Sequence, residues 1–251
     1  MVQALEEKLE LYETENGKYW LPKNAEKDIV CQQIKAGKVF DWKIVEELRK
    51  LYLERGNPSS VMLDVGANFG QMSIEFSKFR KLLPNVSNGA AGPIVLSFEA
   101  EPFVSSVLKL NIETNKLEDE ISVFNSAVWS RDGEHISFPE PDFVSMDSWG
   151  SYGLDPREES GRKIKTMTID SLDIERPIAF IKIDVQGSDL EALIGARKTI
   201  TKYRMPIIFE YEEMFASRFN YVFQDYVNFV ESIDYTFKKV IENNYLIMSR
   251  A

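Results

Sequence analysis

Val61-Met62-Leu63-Asp64-Val65-Gly66-Ala67-Asn68-Phe69-Gly70 reads as a strand, a tight turn and the start of a helix. The first five residues form a short, nearly all-apolar run, the pattern of a parallel strand buried on both faces. Gly66 and Gly70 bracket the turn: the first lets the backbone approach a ligand, and the second lets the helix begin close to the sheet. Beyond them, Met72, Phe76, Phe79 and Leu83 recur at helical spacing and predict one apolar helix face.

The same alternation continues along the chain. Leu82 to Pro93 is a predicted loop, Ile94-Val95-Leu96-Ser97-Phe98 a second strand, Pro102 to Asn115 a second helix and Ile121 to Asn125 a third strand. Glu134 to Phe138 is a predicted short strand after the turn Arg131-Asp132-Gly133, and Pro139 to Arg162 reads as a long loop carrying Phe143, Trp149 and Tyr152. Ile178 to Ile183 is another buried strand. Ser188 and Glu191 have capping-box spacing before a helix. Pro206 to Phe209 is a strand, followed by a single predicted helix holding Phe215, Phe219, Val222, Tyr226 and Val230. Tyr235 to Val240 and Tyr245 to Met248 read as a terminal hairpin joined across Asn243-Asn244. The order predicts an α/β fold: a mostly parallel twisted sheet with helices on both faces and an antiparallel C-terminal strand. Residues 1–56 are predicted mostly helical, with Ile44, Val45, Leu48, Leu51 and Tyr52 on one face after Asp41 as N-cap. They form an N-terminal helical cap on the 57–251 domain.

Composition narrows the function. The chain has 251 residues, one cysteine (Cys31), one histidine (His135) and a formal charge of −10. A disulfide framework and a multi-cysteine zinc site are excluded. The acidic balance speaks against nucleic-acid and anionic-membrane partners. A cytoplasmic protein acting on a small molecule is the expectation, with its oligomeric state undetermined.

In open α/β sheets the ligand sits beyond the carboxyl ends of the strands. Asp64 and Glu99 stand at the first two strand ends. An acid at the second accepts hydrogen bonds from ribose hydroxyls; Glu101 is the other candidate. The separation from the first motif exceeds the usual ~20 residues, and the Leu82–Pro93 loop takes up the excess. A dinucleotide needs Gly-x-Gly-x-x-Gly, whereas Asn68 stands in this turn and a third glycine is missing. Asp64 would repel a phosphate and welcome an ammonium. A ribose and an α-amino group without phosphate describe S-adenosylmethionine (AdoMet).

These blocks resemble the FkbM-type AdoMet-dependent methyltransferases. Asp64 to Gly70 is similar to that family's cofactor loop, and Phe98-Glu99-Ala100-Glu101-Pro102 with Asn111 resembles its second-strand motif. Asn125-Ser126-Ala127-Val128 resembles the block beside adenine, and Thr168 to Leu172 its Thr-Leu-Asp-x-Leu element. Ile181-Lys182-Ile183-Asp184-Val185-Gln186-Gly187-Ser188-Asp189-Leu190-Glu191 resembles its most specific block, with Gln186 and Asp189 departing from the usual glutamates. The resemblance implies a Rossmann-like class I methyltransferase fold and O-methylation of a hydroxyl on a sugar, glycan or natural product. It implies a cofactor site of Asp64, Gly66, Ala67, Asn68, Phe69, Gly70, Glu99, Ala100, Ser126, Ala127 and Asp184.

An alcohol acceptor must lose a proton, which makes Asp184, Lys182, Glu210 and His135 the catalytic candidates. Lys182 lies on the same strand face as Asp184 and is equally well read as its ion-pair partner. Asp41, Trp42, Trp149, Tyr152 and Gln186 are candidate acceptor contacts. No metal is expected; Asp184, Asp189 and Glu210 are the acids that would hold a divalent ion. The rival readings are a non-catalytic AdoMet-binding or scaffold protein and an NAD(P)-linked oxidoreductase.

Overall fold

The computed structural model describes residues 7–55, 57–83, 92–139, 153–156 and 161–250. The N-terminal segment departs from the helical expectation. It opens with an antiparallel hairpin, β1 (Leu9–Thr14) and β2 (Gly17–Pro22), followed by two helices, α1 (Ile29–Lys35) and α2 (Trp42–Arg55). In Leu9-Glu10-Leu11-Tyr12-Glu13-Thr14 only Leu9 is buried. Alternation over so few residues is easily mistaken for one turn of a charged helix. α2 buries Ile44, Val45, Leu48, Leu51 and Tyr52, the face its periodicity predicts.

The alternating part follows as β3 (Val61–Val65), α3 (Gln71–Phe79), β4 (Val95–Phe98), α4 (Pro102–Thr114), β5 (Ile121–Phe124), β6 (Ala127–Val128), β7 (His135–Phe138), β8 (Arg162–Met167), β9 (Ile178–Ile183), α5 (Asp189–Ile194), α6 (Arg197–Tyr203), β10 (Ile207–Glu210), α7 (Glu213–Ala216), α8 (Phe223–Ser232), β11 (Tyr235–Ile241) and β12 (Asn244–Ser249). Seven strands make one sheet in the order β5-β4-β3-β9-β10-β12-β11. β3, β4, β5, β9 and β10 are parallel, and β12 runs antiparallel between β10 and β11. This is the Rossmann-like class I methyltransferase fold. Strand order reverses between β3 and β9, which opens a crevice at their carboxyl ends.

Side-chain alternation sorts the core onto the two sheet faces. Met62 and Phe180 join Tyr52, Phe76, Phe79 and Leu108 on one side. Leu63, Val65, Ile181 and Ile183 join Leu193, Ile200, Tyr226 and Phe229 on the other. The N-terminal segment shares the first cluster through Leu9, Tyr19, Leu21 and Ile34, so its hairpin and helices are part of the domain's own core.

Three further expectations change. The single helix predicted across Phe215 to Val230 is α7, a 3-10 turn and α8, with Val222 exposed at the N-cap of α8. The capping box of Ser188 and Glu191 is not made: the Ser188 hydroxyl donates to the Val185 carbonyl, and the Glu191 carboxylate accepts from the Tyr221 hydroxyl. β8, unforeseen in the sequence, pairs with β6 and β7 in a separate three-stranded sheet.

Candidate active site

A cavity of about 450 Å³ opens at the β3/β9 crevice, within the range that encloses a nucleoside-sized ligand. Its floor is built by the two strands that carry the sequence motifs. Asp64 and Lys182 are register partners on β3 and β9, and the Lys182 ammonium lies 3.9 Å from Asp64 and 3.3 Å from Asp184. Behind them the Ser97 hydroxyl donates to Ser73, and Ser73 donates to Asp64 Oδ2 at 2.5 Å. Asp64 is fully buried, and its Oδ1 makes no hydrogen bond among the described residues.

The charges are set by this packing. Burial alone would lower the Lys182 pKa, but the carboxylates of Asp184, Asp64 and Asp41 outweigh it and hold the ammonium charged. Burial would raise Asp184, but Lys182 and hydrogen bonds from Glu210 and Gln186 hold it below its ordinary value. Burial and the Asp184 charge push Glu210 up, so Glu210 keeps its proton. Burial, against the pull of Lys182, pushes Asp41 up to about 6. Gln186, with φ of +54°, donates from Nε2 to Asp184 Oδ1 at 3.0 Å and to Glu210 Oε2 at 3.3 Å. It knits the two acids together and is not free to hold a ligand with that amide.

The glycine turn has a further job. A Cβ on Gly66, where φ is +85°, would stand 1.8 Å from the Asp184 carbonyl oxygen. Gly66 therefore serves the close approach of the β9 end, and it also lines the cavity. Gly70, with φ of +88°, heads α3 against Leu108.

At the tip of β4 the two acids separate. Glu101 caps α4, accepting from the Val104 N–H at 2.7 Å, and pairs with Arg162 at 2.7 Å. Glu99 faces the cavity. Its Oε2 accepts from the Asn68 N–H and its Oε1 from the Glu101 N–H, both at 2.9 Å. Burial, against those two bonds, pushes Glu99 up to about 7. The Asn125 amide secures the adjacent Glu99 and Ala100 carbonyls. Ala67, Asn68, Phe69, Ala100, Ser126 and Ala127 complete this side of the wall.

Of the remaining candidates, Asp41, Gln186 and Glu210 reach the cavity. Trp42, beside Asp41, is half-exposed at the start of α2 and does not line it. Asp41, with φ of +50°, turns its charge toward Lys182 and Asp184, so its expected N-cap role reduces to its carbonyl, which accepts from Ile44 and Val45. His135 is not brought there: it is exposed on β7 and pairs in register with Lys165, so the expected general-base role has no support in its position. Phe143, Trp149 and Tyr152 lie outside the described residues. No set of three or more His, Cys, Asp or Glu among the described residues is arranged to hold a metal. Asp189, one of the acids proposed for that role, spends its carboxylate on the Val185 and Gly187 amides.

Two functional residues were not foreseen in these roles. Gln71 at the head of α3 accepts from the Phe40 N–H and donates to the Lys38 carbonyl, each at 2.8 Å, which presses the 38–40 segment over the cavity. Asn111, noted only as part of a motif, bonds Trp20 and Phe69 from the middle of α4. A buried amide inside an amphipathic helix is the sequence signal for both.

The sheet order and the crevice at its strand ends are those of the Rossmann-like class I methyltransferase fold. The methyltransferase FkbM domain family matches residues 64–237, and the chain belongs to that family. Among solved structures, a methyltransferase FkbM from Methylobacillus flagellatus is 20% identical, with a TM-score of 0.49, over 80% of this chain and 47% of its own. This chain thus spans about half the length of that protein. A candidate caffeoyl-CoA O-methyltransferase from Staphylococcus aureus is 10% identical, with a TM-score of 0.50, over 91% of this chain and 94% of its own, and shares the fold. A magnesium protoporphyrin IX methyltransferase from Synechocystis, solved with bound S-adenosylmethionine, is 9% identical, with a TM-score of 0.47, over 88% and 84%. No curated protein sequence matches the chain. No helix among the described residues is long and apolar enough to cross a membrane.

Proposed function

We propose that this chain transfers a methyl group from AdoMet to a hydroxyl of a small molecule, sugar or natural product. The observation that carries the reading is Glu99. Two main-chain amides fix its carboxylate at the cavity wall beside the glycine turn, and each oxygen keeps a lone pair for a ribose hydroxyl. The donor set fits a ligand with a ribose and an ammonium: Glu99 on one side, and on the other the buried Asp64 oxygen without a hydrogen bond. It does not favour a pyrophosphate, because Asn68 stands in the turn and the third glycine of a pyrophosphate cradle is missing.

When bound, AdoMet supplies a methyl group already activated on a sulfonium. The chain's own work is alignment, exclusion of water and handling of the acceptor proton. Glu210 keeps its proton and holds Asp184 in place. Asp184 stays ionised and accepts from the acceptor hydroxyl. Lys182 beside it stabilises the negative charge that develops on that oxygen.

Titration calorimetry with AdoMet, S-adenosylhomocysteine, NAD and NADP tests the cofactor, and an acceptor screen with labelled AdoMet tests the transfer. Micromolar binding of the adenosyl ligands alone is expected. Binding of AdoMet with no transfer to any hydroxyl would favour a non-catalytic binder.

A further inference from the structure

We infer that the acceptor is a hydroxylated amine with an apolar body, its ammonium answered by Asp41 and Glu212 and its apolar part resting on Ile29 and Met214. The inference rests on the methyl-transfer reading and names the substrate class of that same site.

Charge is the first argument. Lys182 is the only cation among the described residues lining the cavity, and it already faces both Asp64 and Asp184. AdoMet carries one net positive charge, which the buried Asp64 oxygen can take. With Glu99 assigned to the ribose, Glu101 paired with Arg162 and Glu210 protonated, two carboxylates of the cavity wall then remain. The Asp41 carboxylate makes no hydrogen bond or ion pair among the described residues, and it is still ionised at neutral pH although burial raises it to about 6. Among the described residues the Glu212 carboxylate is bonded only by the neutral Asn243 amide, at 2.8 Å. Glu242, the neighbour of Asn243 in the β11–β12 turn, acts on Asp41. Asp41 and Glu212 both line the cavity, and each is linked to the same turn, one through Glu242 and the other through Asn243. Lys43 also acts on Asp41 but is paired with Glu242 at 2.7 Å, so an anionic acceptor such as a phosphorylated sugar or an acyl-CoA would meet an excess of negative charge there.

The mouth is also apolar. Ile29 on α1 and Met214 on α7 line it, yet are 59% and 66% exposed. Two large apolar side chains kept open on a cavity wall that also carries two carboxylates match a ligand that is cationic at one end and apolar along its body. Asp41 and Ile29 precede residue 64, where the family match begins, so this part of the site belongs to the N-terminal segment of this chain.

The test uses three phenols that differ in the charge of one tail: tyramine, tyrosol and 4-hydroxyphenylacetate. Each is titrated into the full chain saturated with S-adenosylhomocysteine. Tyramine should bind about tenfold tighter than tyrosol, the size of one charge contact near a surface, and 4-hydroxyphenylacetate weakest. The gap should shrink at 0.5 M salt. Asp41→Asn suits the positive φ and should remove most of the tyramine advantage over tyrosol; thermal melting checks its fold. Equal binding of the three, preference for the carboxylate, or no binding of any probe by protein that binds S-adenosylhomocysteine overturns the inference. Failure of S-adenosylhomocysteine itself to bind folded protein overturns the methyl-transfer reading first.

Discussion

The carboxamide of Asn111 in α4 accepts from the Trp20 N–H at 2.6 Å and donates to the Phe69 carbonyl at 2.9 Å. A third bond, to the Trp20 carbonyl, measures 3.2 Å. One buried side chain thus ties β2 to the loop that carries Asn68 and Gly70. Asn111→Ala would strand these main-chain groups away from water. A loss of about 2–4 kcal/mol in urea unfolding is expected, with weaker adenosyl binding because Phe69 is no longer held. Asn111→Asp should not rescue it, since a carboxylate cannot donate to the two carbonyls. Equal affinity in wild type and Asn111→Ala would show that the loop is held by other contacts.

Gly66 and Gly133 separate two effects that glycine usually confounds. Both have positive φ, but a Cβ on Gly133 meets nothing within 4 Å, whereas one on Gly66 meets the Asp184 carbonyl. Gly133→Ala should lose only the backbone preference, about 1 kcal/mol. Gly66→Ala must also push β3 and β9 apart at the cavity floor, so it should abolish adenosyl binding and lower the melting temperature more than Gly133→Ala does. Similar melting curves for the two variants would refute the close approach.

Lys182 is 3% exposed between two carboxylates. Lys182→Met would leave Asp64 and Asp184 buried without their cation, a change that costs about 3–5 kcal/mol when one partner of a buried pair is removed. The loss should be smaller at pH 5 than at pH 8, because the orphaned acids can then take protons. Adding Asp64→Asn should return part of the stability, which denaturation of the single and double variants would measure. A fully additive double variant would mean the 3.9 Å contact carries no coupling.

How much of this could be read from the chain depends on where each element sits. β3 and β9 are buried throughout, so their apolar runs announced them, and the acids at their ends marked the site. The β1–β2 hairpin was hidden because one of its faces is solvent and its residues are those of a charged helix. β8, Arg162-Lys163-Ile164-Lys165-Thr166-Met167, buries only Ile164 and Thr166 and carries too little apolar signal. The choice between Glu99 and Glu101 was not legible, since it depends on Arg162, far along the chain, drawing Glu101 away. Gln71 and Asn111 act on segments tens of residues distant, and local pattern is silent about such partners. Gly66 was recognised as necessary, but its neighbour is the Asp184 carbonyl from another strand, a contact only the folded sheet creates.

The raised acids predict two opposite pH dependences. Burial pushes Glu99 and Asp189 each up to about 7, so between their unfolded values near 4 and about pH 7 the native state holds more protons than the unfolded chain. Where the native state binds more protons, stability falls as pH rises. The ligand-free protein should therefore melt several degrees lower at pH 7.5 than at pH 5. Asp184, held below its ordinary value, acts in the opposite sense but only at more acidic pH. Ligand binding should run the other way. A ribose hydroxyl donating to Glu99 favours the ionised carboxylate, so adenosyl affinity should rise between pH 6 and 8, with release of a proton on binding at pH 6.5. Calorimetry in buffers of different ionisation enthalpy measures that proton directly. Glu99→Gln keeps the size of the side chain and removes the titration, so it should flatten the affinity profile and leave the fall in stability reduced to the share of the other raised acids, Asp189, Asp41, Asp64 and Glu210. An unchanged affinity profile in Glu99→Gln would assign the proton to another acid in the cavity and remove Glu99 from the ribose.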